Sequence, residues 1–529
     1  MRSAAPGQDY EAIVIGGGVN GLVCAIMLAQ AKRRVVLVEA RDRVGGMCQT
    51  VEIAPGYRVS SVSHLVGPMD ADVMKTLRLN KMGLQFTAKQ IGAVALSNQG
   101  QHIILGDDLR HTAQSLAPHS ATDAKNWPAF ETRLRRAAQH IQPWVHHPLP
   151  VAVDESAKGS FFGGRSSSRQ TAALDSDLAM RLDKSLVELL DHDFNSPLLK
   201  GAVALDALLG NSLSPSMQGT AFLSVMKRAM EMPNSGGLAH PQGGAGGITS
   251  ALSKAADSVG LKIKVNAMVK QFLFDNGRIA GVQLANGETL YAPTIVSSLD
   301  AKHTLLKMGG ERDLPLGLKR RLYGYRNEGS VAKVNLALNG LPSFKGLDKK
   351  FLKDRLLICP SMEHLEKSFA AFEQGAFASE LGMEIIIPTV HDASLAKPGH
   401  HVLSANVMYV PRTLSAGNWD AAKADLISLV GAQLRQYAPE LPDQVVAADV
   451  FTPADLATLA GGAGNHWHGG DLSMDQLGVL RPVAGACRNS TPVPGLFLCG
   501  AGTHPCGGVT GTNGRIAAEV VLAHLAGTS

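Results

Sequence analysis

Cysteine, aromatic residues and surplus charge are all scarce in this sequence of 529 residues. Only six cysteines occur and none belongs to a Cys-x-x-Cys pair, which excludes a thioredoxin-like dithiol and a zinc knuckle. Six thiols in so long a chain do not indicate a disulfide framework, so we expect a reducing, cytoplasmic compartment. The 50 basic residues outweigh the 45 acidic residues by a net charge of only +5, so we expect no nucleic-acid partner.

We expect neither a targeting segment nor a membrane span. The first nine residues are polar and contain no apolar stretch before a cleavage site, unlike a secretory signal. Residues 12–31 are uncharged and long enough to cross a bilayer, but Gly16-Gly17-Gly18 interrupts them, which favours a strand followed by a helix. Peripheral contact with a membrane stays open, because a small positive charge favours anionic lipid.

A dinucleotide-binding motif lies near the start of the chain. Gly16, Gly18 and Gly21 stand between an apolar stretch at 12–15 and a helical stretch, in the Gly-x-Gly-x-x-Gly spacing. The first glycine allows a tight turn, the second a close approach to a pyrophosphate, and the third close packing of helix on strand. The helix N-terminus then offers free N–H groups to the phosphates. Glu39 ends the next strand, where its carboxylate would accept hydrogen bonds from ribose hydroxyls.

A glycine pair follows this motif. Gly45 and Gly46 come six residues after Glu39, and the run from 12 to 46 resembles the N-terminal fingerprint of flavoproteins with two dinucleotide-binding motifs. The resemblance implies FAD as the cofactor and contacts to it from Ala40 as well. Arg41 is a candidate to meet a phosphate or the adenine, although an ordinary surface charge explains it equally well.

The C-terminal segment also indicates a flavin site. Residues 495–502 are typical of a strand running into glycines, and a helical stretch begins near residue 513. We expect Gly500, Ala501, Gly502 and Gly511 to contact FAD. A helix N-terminus at this point would face the part of the flavin where negative charge gathers on reduction, which lowers the barrier.

Residues 241–246, 470–477 and 481–482, together with 498–511, resemble the phytoene desaturase-related flavoproteins. The pattern is most similar to the branch of pyridine nucleotide-disulphide oxidoreductase domain-containing protein 2. This resemblance implies an FAD-dependent oxidoreductase that dehydrogenates a largely apolar, lipophilic small molecule by hydride transfer to the flavin. It also implies that the backbone of Val269 meets the adenine. Met47 departs from the pattern, because many relatives carry Arg after the glycine pair.

The implied fold is mixed α/β, with a Rossmann-like FAD domain into which α+β segments of a substrate domain are inserted. We predict the FAD domain at 1–73, 235–301 and 451–529, and the substrate domain at 74–234, mainly helical, and 302–450. Helices are predicted at 177–191, 197–209 and 421–437. The Gly/Ser-rich stretch 158–170, which includes Phe161-Phe162, is typical of a surface loop or a lid.

Catalytic residues are harder to predict than the cofactor site. His504 and His468 lie in or near the glycine-rich C-terminal segments, where a histidine could move protons near neutral pH. A role in holding the loop by hydrogen bonds explains them as well. His466 and His468 have no third ligand in the sequence, so we expect no metal.

Two other functions stay open. A flavin-dependent amine oxidase would need an aromatic cage, and only 5% of the residues are aromatic. An FAD-containing regulatory or interaction protein with little turnover is the second alternative. The sequence does not predict the electron acceptor or the oligomeric state.

Overall fold

The computed structural model describes residues 9–149, 181–231, 237–309, 314–459, 464 and 466–527. The predicted loop at 158–170 lies outside these residues. The strands are β1 (Ala12–Ile15), β2 (Val35–Val38), β3 (Thr50–Ala54), β4 (Tyr57–Ser60), β5 (Phe86–Ala88), β6 (Ala93–Ala95), β7 (Ile103–Leu105), β8 (His240–Pro241), β9 (Lys262–Lys264), β10 (Val269–Asp275), β11 (Arg278–Leu284), β12 (Thr289–Tyr291), β13 (Ile295–Ser297), β14 (Val331–Leu338), β15 (Arg355–Ile358), β16 (Gly382–Ile386), β17 (His401–Met408), β18 (Val445–Phe451) and β19 (Leu496–Leu498).

The α-helices are α1 (Val19–Gln30), α2 (Ala71–Thr76), α3 (Leu109–Leu116), α4 (Ala121–His146), α5 (Leu186–Asp193), α6 (Pro197–Leu208), α7 (Ala221–Glu231), α8 (Gly246–Ser258), α9 (Leu316–Gly324), α10 (Met362–Glu373), α11 (Trp419–Tyr437), α12 (Leu441–Gln444), α13 (Pro453–Leu459) and α14 (Thr512–Ala526). None of these helices combines the length and apolarity needed to cross a bilayer.

A parallel sheet of five short strands, in the order β19-β13-β1-β2-β9, forms the first half of the fold. Its central strands are completely buried apolar runs, as parallel strands covered on both faces require. Helices α1, α8 and α14 contribute to the hydrophobic core on one face. The N-terminal, middle and C-terminal segments therefore meet in one sheet, which confirms the predicted α/β class.

A mixed sheet of seven strands, in the order β18-β14-β17-β16-β15-β6-β7, forms the second half. One face packs against helices α4 to α7 and α10, and the other against α11. Strands β6 and β7 come from the segment 74–234, which the sequence predicted as mainly helical. The described part of this segment is otherwise mainly helical, and the sequence did not predict these strands because apolar strands of three residues carry too little periodicity to be recognised.

Helix boundaries follow local capping. Within the described residues, the helix predicted over 177–191 starts only at Leu186, where the chain forms a capping box. The Ser185 side chain accepts a hydrogen bond from the Glu188 N–H, and the Glu188 carboxylate accepts one from the Ser185 N–H. The helix predicted over 197–209 is found at 197–208, with Pro197 in its first turn. The boundaries of the five domain segments stay a prediction.

Candidate active site

The predicted phosphate turn joins β1 to α1. Gly16 has a φ of +91°, which favours glycine, and a Cβ on Gly21 would lie 2.0 Å from the Gly16 carbonyl oxygen. A Cβ on Gly18 would meet no atom within 4 Å. Gly18 also caps α1 without any side-chain hydrogen bond to the first N–H groups. The turn therefore leaves open space in front of an uncapped helix N-terminus, which fits a pyrophosphate.

Glu39 follows β2 and reaches this turn. Its Oε2 accepts a hydrogen bond from the Gly17 N–H at 2.6 Å, and its Oε1 accepts one from the Arg41 N–H at 3.0 Å. The Arg41 guanidinium donates to the Gly46 carbonyl at 3.1 Å, while Ala40 is exposed. Glu39 and Arg41 thus connect the end of β2 to both glycine turns, beside the place predicted for the ribose.

The glycine pair packs on the phosphate turn. Gly45 donates its N–H to the Gly17 carbonyl at 2.7 Å, and a Cβ on Gly46 would lie 3.0 Å from the Gly18 Cα. Val269 begins β10, shortly after Ala267, whose N–H donates to the Glu39 carbonyl at 2.8 Å. The N-terminal residues predicted to hold FAD are therefore brought together at one end of the parallel sheet.

The C-terminal glycines meet the same end of the sheet. A Cβ on Gly500 would lie 2.4 Å from the Ser298 carbonyl oxygen, beside the Gly16 turn. Ala501 and Gly502 follow it, and Gly511, with a φ of +79°, precedes α14 without a side-chain cap. Two uncapped helix N-termini, those of α1 and α14, thus converge here. This backbone arrangement fits a bound FAD.

A cavity of about 150 Å³ adjoins the C-terminal loop. Residues 505–510 of that loop form one wall. Most of the remaining surface is apolar and comes from Val62, Leu65, Ala207, Leu209, Leu223 and Leu472, while Lys227 and Glu231 add charged groups to the lining. Trp467 is the one Phe, Tyr or Trp residue of the lining within the described chain. The cavity therefore offers an apolar surface and no aromatic cage.

One wall of the cavity is polar. Lys333 on β14, Asn406 on β17 and Glu384 on β16 are direct cross-strand neighbours, so their side chains lie in a row on one face of the sheet. His64, after β4, covers this row, and these four residues are the polar row of the site. Each of the four is at most 4% exposed, and His64, Glu384 and Asn406 line the cavity.

Hydrogen bonds connect the polar row. The Lys333 amine bonds to His64 Nδ1 and donates to Asn406 Oδ1 at 3.2 Å. Glu384 Oε2 lies 3.1 Å from His64 Nε2 and accepts from Asn406 Nδ2 at 2.8 Å. The row thus joins an amine, an imidazole and a carboxylate, the groups that proteins use for proton transfer.

Burial sets the charge of these groups. It lowers the pKa of Lys333 well below its usual value, against the opposing effect of Glu384. It lowers the pKa of His64 to about 4, with the Lys333 charge acting in the same direction. Burial alone would raise the pKa of Glu384, but the His64 hydrogen bond and the Arg355 charge hold that pKa well below its usual range. A neutral imidazole, and an amine whose positive charge is disfavoured by burial, therefore face a carboxylate.

The two histidines predicted as catalytic have different surroundings. His504 Nε2 donates to the Trp144 carbonyl at 2.8 Å, and its ring packs on the Trp144 ring. This contact anchors the C-terminal loop to α4 and favours the structural alternative for His504. His468 is partly buried and lines the cavity, and its buried Nδ1 has no hydrogen-bond partner. Their catalytic role stays a prediction. Over the described residues, no His, Cys, Asp or Glu side chains cluster as metal ligands would.

Comparison with known proteins identifies the family. Residues 20–522 match the flavin-containing amine oxidoreductases. The chain belongs to this family. Pyridine nucleotide-disulfide oxidoreductase domain-containing protein 2 of Rattus norvegicus is 30% identical, over 99% of this chain and 96% of that protein. This flavin-containing amine oxidoreductase is therefore an FAD-dependent oxidoreductase, as the sequence predicted.

Two further similarities bear on fold and ancestry. The neurosporene-forming phytoene desaturase of Cereibacter sphaeroides is 25% identical, over 98% of this chain and 96% of that protein, which confirms the predicted resemblance. Cyclohexylamine oxidase from Brevibacterium oxydans superposes with a TM-score of 0.59 at 17% identity, over 98% and 100% of the two chains. The last similarity shows a shared fold.

The sequence prediction missed the polar row of this flavin-containing amine oxidoreductase. Its four members lie on four separate chain segments, and only the sheet register brings them together. One signal was visible. Lys333 and Asn335 interrupt the otherwise apolar strand β14, in which every residue is buried. A buried lysine in a central strand is rare unless it has partners or a function.

Proposed function

We propose that this protein dehydrogenates a largely apolar small molecule, which binds in the cavity beside the C-terminal loop. The observation that carries the proposal is a largely apolar cavity, bounded by the C-terminal loop on one side and by the polar row on the other. The phytoene desaturase similarity supports the same substrate class. FAD, when bound, accepts the hydride.

Residues of the protein would bind the cofactor, orient the substrate and accept the proton. The two uncapped helix N-termini and the glycine turns would hold the cofactor, and the apolar walls would orient the substrate and exclude water. Dehydrogenation also releases a proton, which needs an acceptor. Lys333, whose pKa is lowered by burial, is our candidate proton acceptor, and it is hydrogen-bonded to His64, which lines the cavity.

Oxidation of an amine is the competing function, and the family name includes it. The cavity lining contains Trp467 but no second Phe, Tyr or Trp among the described residues, so it offers no cage for an ammonium ion. We therefore place the apolar substrate first. Polar or charged amines are retained as one arm of the test.

The test is an anaerobic titration of the purified holoenzyme. Isoprenoid hydrocarbons, long-chain lipids and amines are added separately, and bleaching of the flavin absorbance is recorded. We expect bleaching by an apolar candidate. Bleaching by amines alone would overturn the proposed substrate class, and a flavin that no candidate reduces would favour the regulatory alternative.

A cavity variant provides the control. Ala207→Phe places a ring at the apolar wall and should slow reduction by the substrate without changing the FAD content. Ala421→Phe adds the same ring at an exposed position of α11 and should change neither. Equal rates in both variants would show that the substrate binds elsewhere.

A further inference from the structure

Glu384 holds three hydrogen-bond donors around one buried carboxylate. Its Oε2 faces His64 Nε2 at 3.1 Å and Asn406 Nδ2 at 2.8 Å, and its Oε1 accepts from Arg355 at 3.1 Å. The Glu384 side chain is 5% exposed, so bulk solvent has little access to these bonds. A carboxylate only accepts, so Arg355 and Asn406 donate to it, and His64 donates as well when its proton is on Nε2. Asn406 Nδ2 also lies 3.1 Å from His64 Nε2 and would donate to that nitrogen in the other tautomer.

The Glu384 carboxylate favours one direction for the hydrogen bonds of its partners. We assign the His64 proton to Nε2, facing the Glu384 carboxylate, which makes Nδ1 an acceptor. Asn406 turns its NH₂ group to Glu384, which leaves its Oδ1 on the opposite side. Both acceptors, His64 Nδ1 and Asn406 Oδ1, meet the Lys333 amine. The Glu384 carboxylate thus orients both acceptors of the Lys333 amine, although Glu384 makes no hydrogen bond to that amine.

An uncharged amine has two hydrogens and one lone pair. In the uncharged form of Lys333, one hydrogen goes to His64 Nδ1 and the other to Asn406 Oδ1, which leaves the lone pair without a partner. We propose that Glu384 is a positioning residue, which orients His64 and Asn406 so that the lone pair of Lys333 stays available to receive a proton. The proposal rests on the proposed function, in which Lys333 is the proton acceptor.

Arg355 keeps Glu384 ionised and in place. Its guanidinium bonds to Glu384 and, at 2.5 Å, to Asp206, which also lies 3.5 Å from the Lys227 amine. A buried carboxylate is stable only when paired in this way. Asp206 and Lys227 belong to helices α6 and α7, so this end of the network reaches from the sheet into the helical layer.

A purely structural role is the alternative, because the same bonds also tie β16 to β17. Ser404 and Asn335 form a matched polar pair on the same face of β17 and β14, with the Ser404 hydroxyl donating to Asn335 at 2.6 Å. This pair is buried, and the Lys333 amine makes its hydrogen bonds to His64 and Asn406 instead. Ser404→Ala therefore removes a buried interstrand hydrogen bond without changing the acceptors of the amine.

Nitrogen NMR of the histidine rings tests the proposal without a substrate. The holoenzyme is labelled with ¹⁵N-histidine, and the His64 signals are assigned by their loss in His64→Gln. At pH 7 we expect the shifts of a neutral ring protonated on Nε2, a mixture of tautomers in Glu384→Gln, and no change in Ser404→Ala. A wild-type His64 protonated on Nδ1, or a charged ring, would overturn the proposal even if no Glu384 variant folds.

A pH profile supplies the second readout, for a substrate that bleaches the flavin. The groups that face Lys333 or lie next in the network are His64, Glu384, Arg355, Asp206 and Lys227. Glu384→Gln removes a negative charge that favours the protonated amine, so the rising limb of the rate should move to lower pH by about one unit or more. The plateau should fall by about tenfold or more, as for other orienting partners.

The outcomes separate the two proposals. A lowered plateau with an unmoved limb in Glu384→Gln would reduce Glu384 to a structural residue. If no candidate reduces the flavin, the proposed function fails, but the His64 tautomer still tests the orientation by Glu384. A limb that moves equally in Ser404→Ala would count against any specific effect.

Discussion

Gly514 packs directly against the backbone of Asn20: a Cβ at position 514 would lie 2.3 Å from the Asn20 carbonyl oxygen. This contact holds the N-terminus of α14 next to that of α1, where both ends face the predicted FAD. Gly514→Ala should force the helices apart and destabilise the protein by about 1–3 kcal/mol, with a lower FAD content. Thermal unfolding and the ratio of flavin to protein absorbance measure both effects.

Gly431 is the matched control for this substitution. It lies inside α11, and a Cβ there would meet no atom within 4 Å. Gly431→Ala should therefore be neutral or stabilise the protein by up to about 1 kcal/mol, since alanine favours helix over glycine. A Gly514→Ala variant as stable and as yellow as Gly431→Ala would contradict the close contact of α1 and α14.

Substitutions of Gly18 and of Gly21 should impair the protein for different reasons. A side chain on Gly18 points into open space and its backbone is extended, so Gly18→Val should fold but lose FAD. A Cβ on Gly21 would lie 2.0 Å from a backbone oxygen, so Gly21→Ala should unfold at lower temperature. Flavin content and unfolding temperature separate the two effects. Stoichiometric FAD in Gly18→Val would contradict the phosphate turn.

The FAD end of the molecule was predictable because its signals are local. The glycine spacing, the two flanking apolar runs and Glu39 all fall within 30 residues, and each has one physical reason. The C-terminal glycines add a second local signal before α14. The structure brings these stretches together at one sheet end, although direct contacts with FAD stay a prediction.

The polar row was not predictable because it depends on register. Lys333, Glu384 and Asn406 become neighbours only through the pairing of β14 with β17 and of β17 with β16. A shift of one residue in either pairing would turn a side chain to the opposite face. The sequence contains these residues but does not show how the strands align. Strands as short as β6 and β7 cannot be recognised from sequence, so the number of strands in the sheet was not predictable either.

Lys333 should be essential for turnover but not for cofactor binding. Lys333→Met keeps the length of the side chain and removes the amine that meets His64 and Asn406. The rate of anaerobic flavin reduction should fall by about 10²–10⁴-fold, the usual contribution of a general base. Stopped-flow absorbance measures that rate.

The FAD content of Lys333→Met should stay near one per chain, because the glycine turns lie on other elements. Lys350→Met, at an exposed position, serves as its control. Undiminished reduction in Lys333→Met would remove this lysine from the proposed reaction. Loss of FAD from that variant alone would instead show that the amine supports cofactor binding.

His504 should make the protein less stable in acid. Burial lowers its pKa from 6.5 to about 4, so the folded ring stays neutral while the unfolded ring takes up a proton below pH 6.5. The unfolded state binds more protons between these two values, and the free energy of unfolding therefore falls as the pH drops through them. One pKa unit corresponds to about 1.4 kcal/mol, so His504 alone should account for about 3 kcal/mol of that loss.

His504→Gln should show a correspondingly shallower decrease in the free energy of unfolding between pH 6.5 and pH 4, measured by urea unfolding. Above pH 7 the variant should show only a constant loss from the missing bond to the Trp144 carbonyl, and identical slopes in both proteins would contradict the buried, neutral ring.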